Sequence, residues 1–223
     1  MRIAVAIPAY DAVHTVGAVV ARTLALVQDV LVIDDGSSDG TAEAARAAGA
    51  QVHRLSENHG KGNALREAFA ILFARGFAAV VTVDADGQHV PEEIPRLLAA
   101  AHDADLVLGT RDHLFAEMSP VRRTANRLSS QAISIAAGCP ISDVQTGFRL
   151  YTKRLVDRTG FPESRFEAES AVVVRAVRLG LRVRTTPVRL AVADGRASSH
   201  FRPLVDSLRI AAAVVRARAE SRR

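Results

Sequence analysis

Within the first 110 residues, five short strand-like runs alternate with stretches of helical periodicity, and two of the runs break off into closely spaced acids. Ile3 to Ile7, Val30 to Ile33, Gln51 to Leu55, Val80 to Val83 and Leu106 to Leu108 read as strands. Between them Leu65, Ala68, Phe69, Leu72 and Phe73 recur at i, i+3, i+4, i+7 and i+8, one apolar stripe on a helix that Gly76 can end. A second helix, Thr41 to Ala48, stops at Gly49 in the same way. Pro91 followed by Glu92 and Glu93 makes a third helix start, since proline needs no donor there and acids suit the positive helix end. This alternation predicts βαβ units and a mainly parallel sheet flanked by helices.

The second half is less regular. It reads as a loop over Arg111 to Pro120, a helix over Val121 to Ala137, a turn at Gly138-Cys139-Pro140 and a strand over Thr146 to Tyr151. A helix over Glu167 to Leu179 closes at Gly180, Arg182 to Val192 forms an edge strand because Pro187 interrupts its ladder, and a last helix runs from Pro203 towards Ala219. No repeat, low-complexity tract or linker divides the chain, and 223 residues suit one domain.

Charge is distributed unevenly. Residues 1–110 carry 8 Lys/Arg against 14 Asp/Glu, whereas residues 111–223 carry 21 against 10, so the second half suits an anionic partner such as a phosphate or a lipid headgroup surface. Two Tyr, eight Phe and no Trp leave few stacking platforms, which argues against nucleic acid as that partner. No apolar run approaches the roughly 18 residues that span a bilayer, and the N-terminus enters a strand without a cleavage signal. The single Cys139 excludes an internal disulfide and suits a reducing compartment, and the expected location is the cytoplasmic side.

The acidic strand ends carry chemistry. Asp34-Asp35-Gly36-Ser37-Ser38-Asp39-Gly40-Thr41 follows one strand, and ligands of open α/β sheets bind beyond such ends. Carboxylates there can accept from ribose hydroxyls, or the same loop can simply turn and cap a helix. Asp84-Ala85-Asp86-Gly87-Gln88 follows another strand. Residues i and i+2 of an extended segment point the same way, so Asp84 and Asp86 can share one hard cation, Mg²⁺ or Mn²⁺, with Gln88 as a further oxygen ligand.

Together with Ile7-Pro8-Ala9-Tyr10, Asn58-His59-Gly60-Lys61-Gly62-Asn63-Ala64 and Asp143-Val144-Gln145-Thr146-Gly147-Phe148-Arg149, these motifs resemble the set found in family 2 glycosyltransferases. Within that family the chain is most similar to the dolichyl- and polyprenyl-phosphate mannosyl- and glucosyltransferases. The resemblance implies the GT-A nucleotide-diphospho-sugar transferase fold, an α/β/α sandwich. It also implies a catalytic domain over 1–200, with a nucleotide-sugar half to about residue 110 and an acceptor half beyond it, and a C-terminal basic amphipathic helix over 201–223 belonging to the same domain. By this resemblance Pro8, Ala9, Tyr10, Asp35, Gly36, Lys61 and Asp84 contact the nucleotide sugar, and Asp84, Asp86 and Gln88 hold the metal. Asp86, Lys61 and Asp143 are the catalytic candidates, the last positioning or deprotonating the acceptor or else capping a turn. Arg111 and Arg123 match acceptor-phosphate positions, where a guanidinium fork suits a phosphate, while Arg122 and Arg127 suit a solvated helix surface. Arg196, Ser199 and His200 resemble a lid that would close over the donor, or form an ordinary exposed loop.

The implied activity is inverting, metal-dependent transfer of mannose or glucose from a GDP- or UDP-sugar to a polyprenyl or dolichyl phosphate. A soluble sugar or polysaccharide acceptor, or a non-catalytic sugar-nucleotide adaptor, stays open. The family usually has Asn-Glu after the first Pro-x-Tyr, and Asp11-Ala12 here leaves the base undetermined. In the last helix Leu204, Leu208, Ala211 and Val215 share a stripe, and Arg202, Arg209, Arg216 and Arg223 lie seven apart. Such a helix can lie on an anionic membrane, meet a membrane-protein partner, or pack on the sheet with a wet Arg face.

Overall fold

A computed structural model describes residues 1–110, 130–141, 143–144, 146–191 and 203–220 of the chain. Seven described strands form one sheet: β1 (Ile3–Ala9), β2 (Val30–Asp34), β3 (Gln51–Arg54), β4 (Ala79–Thr82), β5 (Leu106–Thr110), β6 (Arg149–Thr152) and β7 (Val183–Pro187). Their order is β3-β2-β1-β4-β6-β5-β7, all neighbours being parallel except where β6 runs antiparallel between β4 and β5. After β3 the chain crosses back to the other side of β1, so the carboxyl ends of β1 and β4 flank a topological switch point, where α/β sheets bind ligands.

Both faces of the sheet are covered. In β1, Ala4 and Ala6 join one core layer and Val5, Ile7 and Ala9 the other; in β2, Leu31 and Ile33 separate from Val30 and Val32 in the same two-residue rhythm. Against the second layer pack α1 (Val16–Leu24), α2 (Thr41–Ala47) and α4 (Ile94–Ala100), the last entered through a 3₁₀ turn at Pro91–Glu93. The first layer takes α3 (Lys61–Ala74), α5 (described over 130–137), α6 (Lys153–Thr159), α7 (Glu167–Arg178) and α8 (Pro203–Glu220). On α3, Leu65, Phe69 and Leu72 are fully buried, each contributing about 1.5–3 kcal/mol relative to exposure.

Helices α1 and α6 have no counterpart in the sequence reading. Helix α1 is built on Val16, Val19, Val20 and Thr23, a helical spacing carried by β-branched residues that are weak helix formers, so packing rather than propensity makes it. The short α6 starts where the Thr152 hydroxyl accepts the Leu155 N–H at 3.2 Å.

The C-terminal helix packs by a face other than the one its larger apolar residues mark. The stripe of Leu208, Ala211 and Val215 does not meet the protein: Leu208 is 73% and Val215 68% exposed. The core face is Ile210, Ala213, Val214 and Ala217, whose alanines let α8 lie closely along α7. Ile210, Ala213, Val214 and Ala217 of α8 belong to the same core cluster as residues of α3 and α7. Among the described residues no helix is long and apolar enough to cross a membrane.

Candidate active site

At the switch point the loops beyond β1 and β2 are stitched together. Ala9 O accepts the Asp35 N–H at 2.8 Å, and Asp11 N–H and Ala12 N–H donate to Ser37 Oγ and Thr41 Oγ1 at 2.9 and 2.8 Å. Asp11, at φ 46°, returns a bond by accepting Ser38 N–H, a left-handed conformation that Asp tolerates because its short side chain bonds locally. Pro8, Ala9 and Tyr10 thus lie on a fixed rim, with the Tyr10 phenol pKa raised by the neighbouring Asp11 carboxylate.

Asp34 and Asp35 face inward. Asp34 is fully buried; its Oδ1 accepts Ser37 N–H at 3.0 Å and its Oδ2 lies 3.3 Å from Arg54 Nε. Asp35 accepts His59 N–H and Gly60 N–H at 2.9 and 2.7 Å, one on each oxygen. Burial raises its pKa and those two amides pull it back. Gly36, at φ 75°, is required where it stands, because a Cβ would sit 2.5 Å from the Glu57 carbonyl carbon. Asp39 accepts Thr41 N–H at 3.0 Å, so this loop does start α2 as the capping alternative expects.

The amides that Asp35 grips launch Lys61. A Cβ on Gly60 would lie 2.6 Å from Ser164 O and one on Gly62 2.5 Å from Glu163 O, so this glycine pair lets the start of α3 press against the loop before α7. Asn63 N–H donates to Ser164 O at 2.9 Å and locks the approach. Lys61 consequently enters a largely buried slot where its Nζ lies 2.6 Å from Asp84 Oδ1 and 3.0 Å from Glu169 Oε2. A cation in the first turn of a helix opposes the helix dipole. Burial also pulls its pKa down, but Asp84 and Glu169 outweigh burial and hold it well above the ordinary lysine range.

Asp84 and Asp86 lie where the sequence reading puts them, though not in the expected geometry. Strand β4 ends at Thr82, and residues 85–87 form a turn with Gly87 at φ 77°, so the segment is not extended. Asp86 Oδ1 accepts Gln88 N–H at 2.9 Å, a local bond that draws the chain out of the strand. Asp84, Asp86 and Gln88 are half-buried. Asp84 N–H donates to Nδ1 of buried His89 at 3.3 Å, and the imidazole stacks on Phe148 at 5.4 Å between ring centres. Among the described residues no three His, Cys, Asp or Glu side chains form a ready cage for a metal. Two half-buried carboxylates with an amide nearby instead fit a hard cation that takes its remaining ligands from water and phosphate.

The opposite wall is the loop before β6. A Cβ on Gly147 would collide with Asp84 Oδ2 and lie 2.6 Å from Lys61 Nζ, so a side chain there would push the Asp84–Lys61 pair aside. Thr82 Oγ1 donates to Gly147 O at 2.7 Å. Asp143 is buried at φ 43°, and Thr146 N–H donates to its carbonyl at 3.3 Å. Arg149, fully buried, donates to Thr146 O, Val144 O and Glu169 O at 2.6–2.7 Å and so fastens this loop to the start of α7. The sequence reading gives no role to Arg149, Glu169 or His89. Arg111, Arg123, Arg196, Ser199 and His200 lie outside the described residues, as do Arg122, Arg127 and Gln145. The chain approaching residue 192 does touch the site: Ala191 N–H donates to Gln88 O at 2.9 Å, and Leu190 bridges His89.

Comparison with known proteins follows the same lines. The sequence model described as Glycosyl transferase family 2 matches residues 4–160. An undecaprenyl-phosphate mannosyltransferase of Micrococcus luteus is 32% identical over 202 residues, covering 84% of this chain and 83% of its own. An undecaprenyl-phosphate 4-deoxy-4-formamido-L-arabinose transferase of Aeromonas hydrophila is 34% identical over 167 residues, covering 70% of this chain and 50% of its own, so the chain spans about half the length of that relative. Among solved structures, a mycobacterial protein superposes with a TM-score of 0.77 at 26% identity, covering 98% of this chain and 75% of that one. Glucosyl-3-phosphoglycerate synthase of Mycobacterium tuberculosis, crystallised with Mn²⁺, uridine diphosphate and phosphoglyceric acid, gives 0.71 at 22% identity, covering 99% and 78%; that likeness shows the shared fold.

Proposed function

The chain belongs to glycosyl transferase family 2, and from that premise we propose that it moves a hexose, mannose or glucose, from a GDP- or UDP-sugar to a polyprenyl phosphate with inversion at the anomeric carbon. The observation that carries the reading is Lys61: a buried ammonium against Asp84 at the carboxyl end of β4, where a diphosphate would meet both a cation and a carboxylate-bound metal. The acceptor follows the relatives named for undecaprenyl phosphate. The excess of basic residues after residue 110 suits that acceptor.

In this reading Pro8, Ala9, Tyr10, Asp35 and Gly36 contact the nucleotide, Asp35 while also holding the 59–60 turn. Asp84, Asp86 and Gln88 would hold Mg²⁺ or Mn²⁺, which supplies charge neutralisation for the departing diphosphate. Lys61 adds a second positive charge, so electrons flowing onto the leaving oxygen as the sugar–oxygen bond breaks meet compensation in a site of low polarity. An acceptor phosphate with a second pKa near 6 is already mostly dianionic at neutral pH, and its oxygen forms the new bond without a strong base. Asp143 then serves to position it, with Arg111 and Arg123 binding its phosphate. Arg196, Ser199 and His200 form the lid, entered from a segment already bonded to Gln88 and His89.

Residues 1–200 form the catalytic domain in this account and 201–223 close it. The outer face of α8, with Val205, Leu208 and Val215 exposed beside Arg209 and Arg216, suits peripheral contact with an anionic bilayer. Incubation with labelled GDP-mannose or UDP-glucose, Mn²⁺ and a short-chain polyprenyl phosphate should move label into the organic phase. Label appearing only as free sugar, or only on a water-soluble acceptor, would refute the proposed acceptor.

A further inference from the structure

We infer that Glu169 is a positioning residue for donor binding, holding the Lys61 ammonium in place when Asp84 turns to the donor and its cation. The inference rests on the reading of Lys61 and Asp84 given above. Lys61 is clamped between two carboxylates, and only one of them lies at the open end of β4. Glu169 is buried, sits in the first turn of α7, and meets Lys61 at 3.0 Å. Once Asp84 serves a cation, its share of the attraction for Lys61 falls, and Glu169 is then the protein carboxylate that holds this largely buried ammonium in place for the diphosphate.

Two features suit Glu169 to that task. Its second oxygen, Oε1, is buried without a hydrogen bond, so a lysine that pivots away from Asp84 finds a further acceptor on the same carboxylate. Arg149 lies 3.9 Å from that oxygen and lends charge without competing, because its N–H groups go to the carbonyls of Thr146, Val144 and Glu169. The carbonyl bonds also fix the α7 backbone that carries Glu169, so the tether is rigid at its base. Four motifs far apart in sequence therefore meet as Lys61, Asp84, Arg149 and Glu169, two positive and two negative charges in one enclosure.

The test is a double-mutant cycle read by calorimetric binding of uridine and guanosine diphosphates with Mn²⁺, alongside kcat and KM for the sugar donor. Glu169→Gln keeps the shape and removes the charge, and should weaken diphosphate binding and lower kcat by about 10- to 100-fold, the range for groups that orient a ligand-binding residue, while leaving acceptor KM and thermal midpoint near wild type. In a Lys61→Met background the same substitution should cost nothing further, and Glu169→Asp should recover part of the loss. If Glu169→Gln does not fold, Glu169→Asp in the two backgrounds gives the same cycle. Unchanged diphosphate affinity in Glu169→Gln, or equal losses from either Glu169 substitution in both backgrounds, overturns the inference. A wild-type protein that binds neither diphosphate overturns instead the reading it rests on.

Discussion

Two strand ends of this sheet carry acids of the same kind and use them differently. At β2, Asp34 and Asp35 are closed in: the amides of Ser37, His59 and Gly60 donate to three of their oxygens, and the Arg54 guanidinium forms an ion pair at the fourth, Asp34 Oδ2. At β4, Asp84 and Asp86 are half-buried, and Asp84 is paired with a side-chain cation, Lys61. Backbone amides cannot leave a carboxylate without unfolding a loop, whereas an ammonium on a four-carbon stem can. Asp35 is therefore fixed to the 59–60 turn, whereas Asp84 has in Lys61 a partner able to move.

The sharpest way to break this contrast is to neutralise each pair in turn. Asp84→Asn and Asp86→Ala should each lower turnover by about 10³-fold or more, with an unfolding midpoint close to wild type; a loss of stability in step with activity would make β4 another structural end. Asp35→Ala should act the other way. It strips the buried Gly60 amide of its acceptor, at about 1–3 kcal/mol, and the part-buried His59 amide at less, and chemical denaturation should register most of the effect. Gly147→Ala falls between, because its methyl group would collide with Asp84 and Lys61; overpacking of about 1–3 kcal/mol should come with weaker donor binding measured on the same sample.

The pH dependence of Asp35 sharpens the comparison further. Its folded pKa is raised from 3.8, chiefly by burial, so the native state holds this proton more tightly than the unfolded chain. Stability from this group is therefore greatest at low pH and declines as pH rises from about 4 through the raised folded value, by at most about 1.4 kcal/mol per pH unit. Denaturation at stepped pH above about 4 should show that decline, and Asp35→Asn should remove it. The smallest effect is expected at the exposed Arg22–Glu92 pair, where Arg22→Ala should change stability by about 0–1 kcal/mol.

How far the sequence discloses this molecule follows from how local each signal is. The strand ends, the glycines beside Lys61 and the Asp84–Asp86 motif are short and carry their chemistry with them, so they can be read in order along the chain. Whether Asp35 touches a ligand or a loop is not local: it depends on the 59–60 amides arriving beneath it. Glu169 reads as an ordinary acid in a helix first turn because its partner Lys61 belongs to another motif. Helix α8 is apolar on more than one side, and sequence alone weighs Leu208 and Val215 above the smaller Ala213 and Ala217. The alanines win because they allow close contact with α7.

The most direct test of the contrast between the two ends is a crystal structure with Mn²⁺ and a nucleoside diphosphate, read by the anomalous signal of the metal. The account predicts one manganese peak bonded to Asp84 and Asp86, with Lys61 turned to the diphosphate and Asp35 still bonded to the 59 and 60 amides. A peak at Asp34 or Asp35, or a bound diphosphate with Asp84 still paired to Lys61 and no metal beside it, would contradict it.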